Sequence, residues 1–175
     1  MERIIATRYL AVDGMEATTT MTTLVVLTVI RHEGRYLLVE ERDGTFYLPA
    51  GRVEPGENLM AAAVRETAEE AGVAIGLTGL LGFDHAWRDG PPARMVLRFV
   101  FVGYLALATP PKTRPDRHSR GARWVARDEI ARLPLRHPEV TSWVDRFERG
   151  PALLPCAAYG WDGPARSDTW SARLG

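Results

Sequence analysis

Residues 51–73 read GRVEPGENLMAAAVRETAEEAGV, and this stretch decides the fold. Residues 58–71 contain no glycine or proline and are rich in alanine and glutamate, which predicts a helix that ends at Gly72. Before that helix, Gly51 and Gly56 allow the chain to turn sharply out of a strand. The sequence therefore predicts a strand, a glycine-containing loop and a helix as the central unit of the domain.

The acidic residues of this helix are placed unfavourably for helix stability. Glu66, Glu69 and Glu70 stand three and four positions apart, so their side chains share one face. Glu69 and Glu70 also lie in the last turn, where the helix dipole disfavours a carboxylate by about 0.3–1 kcal/mol. An isolated Glu pair at a helix end is usually a solvated face, but three clustered carboxylates are relieved by a hard divalent cation. We therefore expect Mg²⁺, with Mn²⁺ as a substitute.

The rest of the chain predicts strands mixed with few helices, which is typical of an α+β domain. Two hairpins are expected, one over residues 24–41 with a turn at Glu33 and Gly34, the other over residues 77–107. We also expect strands at 46–48 and 121–126, a short helical turn at 127–133 and a last helix at 138–149. The predicted divisions are an N-terminal extension (1–21), one domain (22–149) and a Pro/Gly-rich tail (150–175).

Composition excludes several classes of function. Lys plus Arg and Asp plus Glu both number 22, so no net charge would drive binding to nucleic acid or to an anionic membrane surface. The apolar stretch at residues 24–30 is far shorter than the roughly 20 residues of a membrane helix, and the first residues lead into no signal-like segment. We expect no nucleic acid and no membrane as partners.

The single cysteine and the single lysine of the chain indicate a cellular compartment and exclude one kind of phosphate-binding site. Cys156 is the single cysteine, which fits a reducing compartment, and we expect the cytoplasm. Lys112 is the single lysine, so a phosphate loop that ends in Gly-Lys-Ser/Thr is excluded. Another device must therefore bind phosphate groups if the protein acts on them.

The stretch at 51–73 resembles the signature of the Nudix hydrolase family, G-x5-E-x7-R-E-U-x-E-E-x-G-U, where U is a bulky apolar residue. Thr67 departs from it, because a small polar residue stands at the first U position. The resemblance implies the Nudix fold, a mixed β-sheet sandwiched between helices, over roughly residues 22–149. The fixed positions of the signature are matched by Gly51, Glu57, Arg65, Glu66, Glu69, Glu70 and Gly72.

The resemblance also implies a reaction and its residues. Nudix enzymes use metal ions and water to cleave the diphosphate linkage of a nucleoside di- or triphosphate or of a nucleoside diphosphate derivative. Arg65 is implied as a catalytic residue that orients a carboxylate of Glu57 or Glu69. The implied metal ligands are Glu66, Glu69, Glu70, Glu57 and the Ala50 carbonyl, of which the first three are also implied to be catalytic.

The general base is left open by the sequence. Glu66 or an acid in a later loop could take this role. Many relatives carry a carboxylate about six residues before the tryptophan of the late strand, and here His118 stands six residues before Trp124. Asp116 could substitute for it, or both residues could belong to an ordinary surface loop.

The sequence offers several candidate residues for binding the substrate. Arginines near the expected site could grip phosphate in bidentate fashion, and aromatic residues there could stack a base or simply belong to the core. The chain looks closest to small bacterial phosphatase-like Nudix proteins that act on nucleoside tri- and diphosphates. The expected substrate-binding residues are Arg52, Phe46, Tyr47 and Trp87, with Phe83, Arg42 and Arg98 as further candidates.

Two other functions and one assembly stay open. A Nudix-like module could hold a nucleotide without cleaving it, although such modules usually lose signature carboxylates and none is lost here. A different enzyme on the same fold, such as an isomerase, would leave the diphosphate intact. Trp161 and Trp170 in the tail could cover a partner subunit, so a homodimer is possible, or they could pack back on the domain.

Overall fold

The computed structural model describes residues 6–7, 20–90 and 92–161. Within these residues, strands dominate the first two thirds and helices the last third. The strands are β1 (Ala6–Thr7), β2 (Thr20–His32), β3 (Arg35–Glu40), β4 (Phe46–Tyr47), β5 (Ala50–Arg52), β6 (Ile75–Arg88), β7 (Arg94–Leu105) and β8 (Gly121–Ala126). The helices are α1 (Leu59–Ala71), α2 (Arg127–Ile130) and α3 (Glu139–Glu148), followed by a 3-10 turn at Cys156–Ala158.

Strand β2 organises the sheet. It pairs in parallel with β7, which pairs antiparallel with β6, and on its other side it pairs antiparallel with β5. At its end the chain turns through Glu33 and Gly34, both with positive φ, into β3, which pairs with β4 and β8. The two hairpins expected from the sequence are confirmed, and the sheet is mixed.

Alternation along the strands builds one apolar core on each face of the sheet. Val26 and Ile30 of β2 point to the face that α1 covers, whereas Leu27 and Val29 point to the face covered by α3. Trp143 of α3 is almost fully buried in the second core. The structure thus confirms the expected α+β architecture, a mixed sheet sandwiched between helices.

Helix α1 begins and ends as the sequence predicts. The Asn58 side chain accepts a hydrogen bond from the Ala61 amide at 2.8 Å, and Gly72 ends the helix in the left-handed conformation at φ 71°. Thr67, the departure from the family signature, is fully buried. Its hydroxyl donates to the Ala63 carbonyl at 2.8 Å and lies 2.9 Å from the hydroxyl of Thr28, so the polar group is satisfied.

The two ends of the chain are described only in part. In the predicted N-terminal extension, β1 pairs antiparallel with the start of β2. In the predicted tail, Leu154 exchanges backbone hydrogen bonds with Leu80, and Trp161 is about 42% exposed. Trp170 lies outside the described residues, and the three predicted divisions stay predictions. Among the described helices, none has the length and apolar character needed to cross a membrane.

Candidate active site

The C-terminal end of α1 is held by the loop of residues 106–120. Each of the last four carbonyl groups of the helix accepts a hydrogen bond. All the backbone acceptors at this end of the helix, which carries the predicted catalytic carboxylates, are therefore satisfied. The ammonium group of Lys112 at this end also offsets the unfavourable position of those carboxylates in the helix dipole. The donors are Gly72 N to Ala68, Lys112 Nζ to Glu69, Ser119 Oγ to Glu70 and Lys112 N to Ala71.

Replacement of Lys112 tests this cap. We expect Lys112→Met to lower the free energy of unfolding by about 1–2 kcal/mol, because the change removes the charge and the side-chain bond to the Glu69 carbonyl. The apolar part of the side chain is kept. Urea denaturation measures the effect. Arg132→Gln, at an exposed ion pair, is the control and should stay within about 0.5 kcal/mol of wild type. Equal stability of both variants would contradict the role given to Lys112.

Arg65 joins three of the predicted site carboxylates. Its guanidinium donates to both oxygens of the buried Glu57 at 2.8 and 2.9 Å and to Glu66 at 2.8 Å. It also reaches Glu69 at 3.4 Å and the Arg52 carbonyl at 3.0 Å. The hydrogen bonds with Glu57 hold the pKa of Arg65 above its usual range, against the effect of burial. Arg65 is therefore a fixed cation that ties α1 to the preceding loop.

Glu66 and Glu70 are the two carboxylates that face β5. The Ala50 amide donates to Glu70 Oε2 at 2.9 Å. Burial raises the pKa of Glu70 to about 8, against the bond from Ala50, and the negative charges of Glu66 and Glu41 raise it further. Burial also raises the pKa of Glu66, against its bond to Arg65. The structure thus holds two desolvated acids beside one short strand.

Gly51 leaves the space that Glu66 occupies. A Cβ atom at position 51 would lie 1.9 Å from Glu66 Cδ and 2.1 Å from Oε1, so any larger residue would force the Glu66 carboxylate out of this position. Glycine is therefore required here by the close approach of a carboxylate to the backbone. Sequence reasoning explained this glycine only by a sharp turn.

The predicted metal ligands are near one another but are not arranged around a common point. Within residues 20–90 and 92–161, no group of three or more His, Cys, Asp or Glu side chains is placed to hold a metal ion. Ion pairs and hydrogen bonds explain this arrangement, because Arg65 holds Glu57 and Glu66 while the Ala50 amide holds Glu70. The available donors are nevertheless carboxylate oxygens, the chemistry that Mg²⁺ prefers, so this donor set fits the predicted cation. The ligand set stays a prediction.

The two candidate loop residues have different surroundings. His118 Nδ1 lies 3.5 Å from Glu69 Oε2, at the edge of the carboxylate cluster. Asp116 instead accepts hydrogen bonds from Lys112 Nζ and from the amides of His118 and Ser119. These bonds hold the pKa of Asp116 well below its usual range. Asp116 therefore fixes the loop, and His118 is the one that lies beside a signature carboxylate.

A cavity of about 420 Å³ lies along β5, the strand that Glu66 and Glu70 face. Ala50, Gly51 and Arg52 line one side of it, so the cavity and the carboxylates share β5. Val25 of β2 also lines it and packs against the α3 core, so the cavity lies on the α3 face of the sheet. A volume of this size is typical of a small-molecule site.

The structure brings only part of the predicted substrate-binding set to this cavity. Arg52 and Tyr47 line it. Phe46 is buried in the core beneath the guanidinium of Arg123. Arg88 lines the cavity, and neighbouring side chains of a strand point to opposite faces of the sheet. The Trp87 ring therefore points away from the cavity, and this residue is about half exposed. The roles of these residues in binding stay predictions.

Of the further candidates for substrate binding, one lines the cavity and two lie elsewhere. Arg98 lines the cavity, and Phe83 is exposed and stacks on Phe99 on the opposite face of the sheet. Arg42 lies with His118 along a second, smaller groove beside the loop of residues 41–43.

A buried polar network at the base of the cavity was not predicted from the sequence. Arg98 donates to both oxygens of Asp84 at 2.6 and 2.9 Å and forms an ion pair with Glu139 at the start of α3. The Tyr47 hydroxyl donates to Glu139, and His137 Nδ1 lies 3.3 Å from the same carboxylate. No local signal joins these residues, because they come from four separate segments of the chain. A glutamate on the otherwise apolar inner side of α3 was the one available hint.

This fold and this carboxylate helix together define a Nudix-type hydrolase. A family model described as NUDIX domain matches residues 20–144, and the chain belongs to the Nudix family. The chain is 33% identical over 132 residues to a protein of Escherichia coli strain K12 named phosphatase NudJ. That match covers 73% of this chain and 84% of the relative.

Solved structures agree with this assignment. A NUDIX hydrolase from Nitrosomonas europaea is 29% identical, with a TM-score of 0.70 over 81% of this chain and 97% of that one. The MutT protein from Methanosarcina mazei Go1 is 25% identical, with a TM-score of 0.58 over 73% of this chain and 94% of that one. The expected family, fold and enzyme class are thus confirmed.

Proposed function

We propose that this protein is a Mg²⁺-dependent hydrolase that cleaves the diphosphate linkage of a nucleoside di- or triphosphate or of a nucleoside diphosphate derivative, with Mn²⁺ as a substitute metal. One observation carries the proposal. Two half-buried carboxylates, Glu66 and Glu70, face β5, which lines a cavity of about 420 Å³, and both belong to the family signature. The similarity to a protein named as a phosphatase supports hydrolysis at phosphorus.

The residues of α1 and β5 have distinct roles in this proposal. Glu66, Glu69 and Glu70 hold the cation, with Glu57 and the Ala50 carbonyl completing the set. Arg65 keeps Glu57 and Glu66 in place through its hydrogen bonds. The bound cation supplies charge neutralisation of the diphosphate and a lowered pKa for an attacking water. The loop bonds from Lys112 and Ser119 fix the helix end that carries the ligands.

Proton acceptance from the attacking water is assigned to Glu66 or to a group of the loop. Of the two loop candidates, His118 has the better position because it lies beside Glu69, whereas the oxygens of Asp116 already accept three hydrogen bonds. The cytoplasmic location and a homodimer stay predictions.

The reaction is tested by the release of phosphate and diphosphate from a panel of compounds with Mg²⁺, Mn²⁺ or a chelator. The panel contains nucleoside di- and triphosphates, ADP-ribose, nucleotide sugars and dinucleoside polyphosphates. We expect turnover of at least one class with either metal and its loss, by at least about 100-fold, when the chelator is added, because the carboxylates alone cannot neutralise a diphosphate.

Three outcomes would contradict this proposal. Turnover that survives the chelator would exclude a role for the metal. Binding of a nucleotide that remains unchanged after long incubation with both metals would favour the silent binding module, and a product with its diphosphate intact would favour an isomerase.

A further inference from the structure

Five arginines line the cavity along β5, and we call this cavity the arginine pocket. Among the described residues, Glu139 is the one acid in its lining. The chain as a whole has equal numbers of basic and acidic residues, so this excess is local to the pocket. The arginines are Arg52 of β5, Arg88 of β6, Arg94 and Arg98 of β7, and Arg136 before α3.

Among the described residues, carboxylate partners are present for two of the five guanidinium groups. Arg98 pairs with Asp84 and Glu139. Arg136 pairs with Glu41 at 2.6 Å. The other three, Arg52, Arg88 and Arg94, form no ion pair with any acid in the part of the chain that the structure describes. The pocket therefore presents uncompensated positive charge next to the site proposed for the diphosphate.

The pocket offers no aromatic face on which a base could stack. Tyr47 is the one Phe, Tyr or Trp side chain in the described lining, and the Arg136 guanidinium lies over it, 5.2 Å from the ring centroid. The Tyr47 hydroxyl is bound to Glu139. His137 adds no charge, because burial and the positive charges of Arg98, Arg88 and Arg136 lower its pKa. Recognition in this pocket must therefore depend on charge and hydrogen bonds.

We propose that the arginine pocket binds a second anionic group of the substrate, a phosphate or a carboxylate, in addition to the diphosphate at α1. The inference rests on the proposed function and names its substrate class, diphosphate compounds whose organic part carries a further anion. Guanidinium groups bind both kinds of oxyanion through paired hydrogen bonds. Arg88 and Arg94 are directly opposite each other in the β6–β7 ladder, which places two free cations at the same end of the pocket.

Matched pairs of compounds test this preference and separate the two anions. For phosphate, the pair is ADP and adenosine 3′-phosphate 5′-diphosphate, and for carboxylate it is UDP-glucose and UDP-glucuronate. We expect kcat/KM to be at least about tenfold higher for the charged member of one pair, since hydrogen bonds to charged groups contribute this much. The pair that shows the preference identifies the anion.

Variants locate the preference in the pocket. In the double variant Arg88→Gln/Arg94→Gln, we expect the preference to fall to within about twofold of unity, while kcat/KM for the uncharged member stays within about threefold of wild type. Arg132→Gln, on the exposed side of α2, is the matched control and should keep the full preference. A preference that survives in the double variant would overturn the assignment to this pocket.

Binding measurements separate this inference from the proposed reaction. Calorimetry on the Glu66→Gln variant compares the affinities within each pair when no turnover takes place. Tighter binding of a charged member, lost in Arg88→Gln/Arg94→Gln, supports the inference even if no compound is hydrolysed, and in that case only the proposed reaction fails. Equal affinity within both pairs, or no binding by any member, overturns the inference.

Discussion

Glu66→Gln and Glu70→Gln are each expected to lower kcat by at least about 100-fold, the largest effects on activity that the structure predicts. Each change removes one of the two carboxylates that face β5 and can ionise to bind the cation, and so weakens the binding of the cation. Amide oxygens can still accept the hydrogen bonds that the carboxylates accept now, from Arg65 and from the Ala50 amide. Steady-state kinetics with saturating Mg²⁺ measures the loss.

The fold should survive both changes, and this distinguishes a catalytic from a structural role. Circular dichroism and thermal unfolding in the absence of metal should show a folded protein. Added Mg²⁺ should raise the unfolding temperature of the wild type more than that of either variant, because a ligand stabilises the folded state more when it binds more tightly. Glu33→Gln, at an exposed position in the β2–β3 turn, is the control and should have wild-type activity. Full activity of Glu66→Gln and Glu70→Gln would contradict the assigned site.

Arg98→Met is expected to have the largest effect on stability, a loss of about 3–5 kcal/mol in the free energy of unfolding. Arg98 and Glu139 are both largely buried, with 13% and 9% of their side chains exposed. Methionine would leave the Glu139 carboxylate desolvated without its ion pair and would remove the two bonds to Asp84. Urea denaturation followed by tryptophan fluorescence measures the change.

A second substitution shows whether the loss comes from an unpaired charge. Arg98→Met/Glu139→Gln should recover part of the lost stability, because the amide is neutral and can still accept the hydrogen bond from the Tyr47 hydroxyl. Arg132→Met is the control at an exposed pair and should change the stability by less than about 0.5 kcal/mol. If Arg98→Met costs no more than this control, the buried pair has no structural importance.

The central unit of the site could be predicted from the sequence because its signals are local. The helix at α1 follows from residue propensities and from Gly72, which act within one or two turns. The clustering of Glu66, Glu69 and Glu70 on one face follows from helical spacing alone. The hairpins could also be predicted from the sequence, since the turn and the two apolar strands of a hairpin are neighbours in the chain.

Other parts of the site could not be predicted from the sequence. The sequence did not predict strand β5, the parallel pairing of β2 with β7 or the capping of α1 by Lys112 and Ser119. Nor did it pair Thr67 with Thr28, which lies 39 residues away and satisfies the polar residue at an apolar position of the signature. These contacts join distant segments, and no periodicity along the chain encodes them.

The family signature and the helix that carries the predicted metal ligands could be predicted from one continuous stretch of the chain, residues 51–73. Only the tertiary structure decided which side chains surround the cavity. It placed Arg88 and Arg94 together across one hairpin, turned Trp87 to the opposite face and brought Arg98 to Glu139. The physical reason is that strand alternation and sheet pairing fix the direction of each side chain. Both depend on contacts that form only when the whole sheet has assembled.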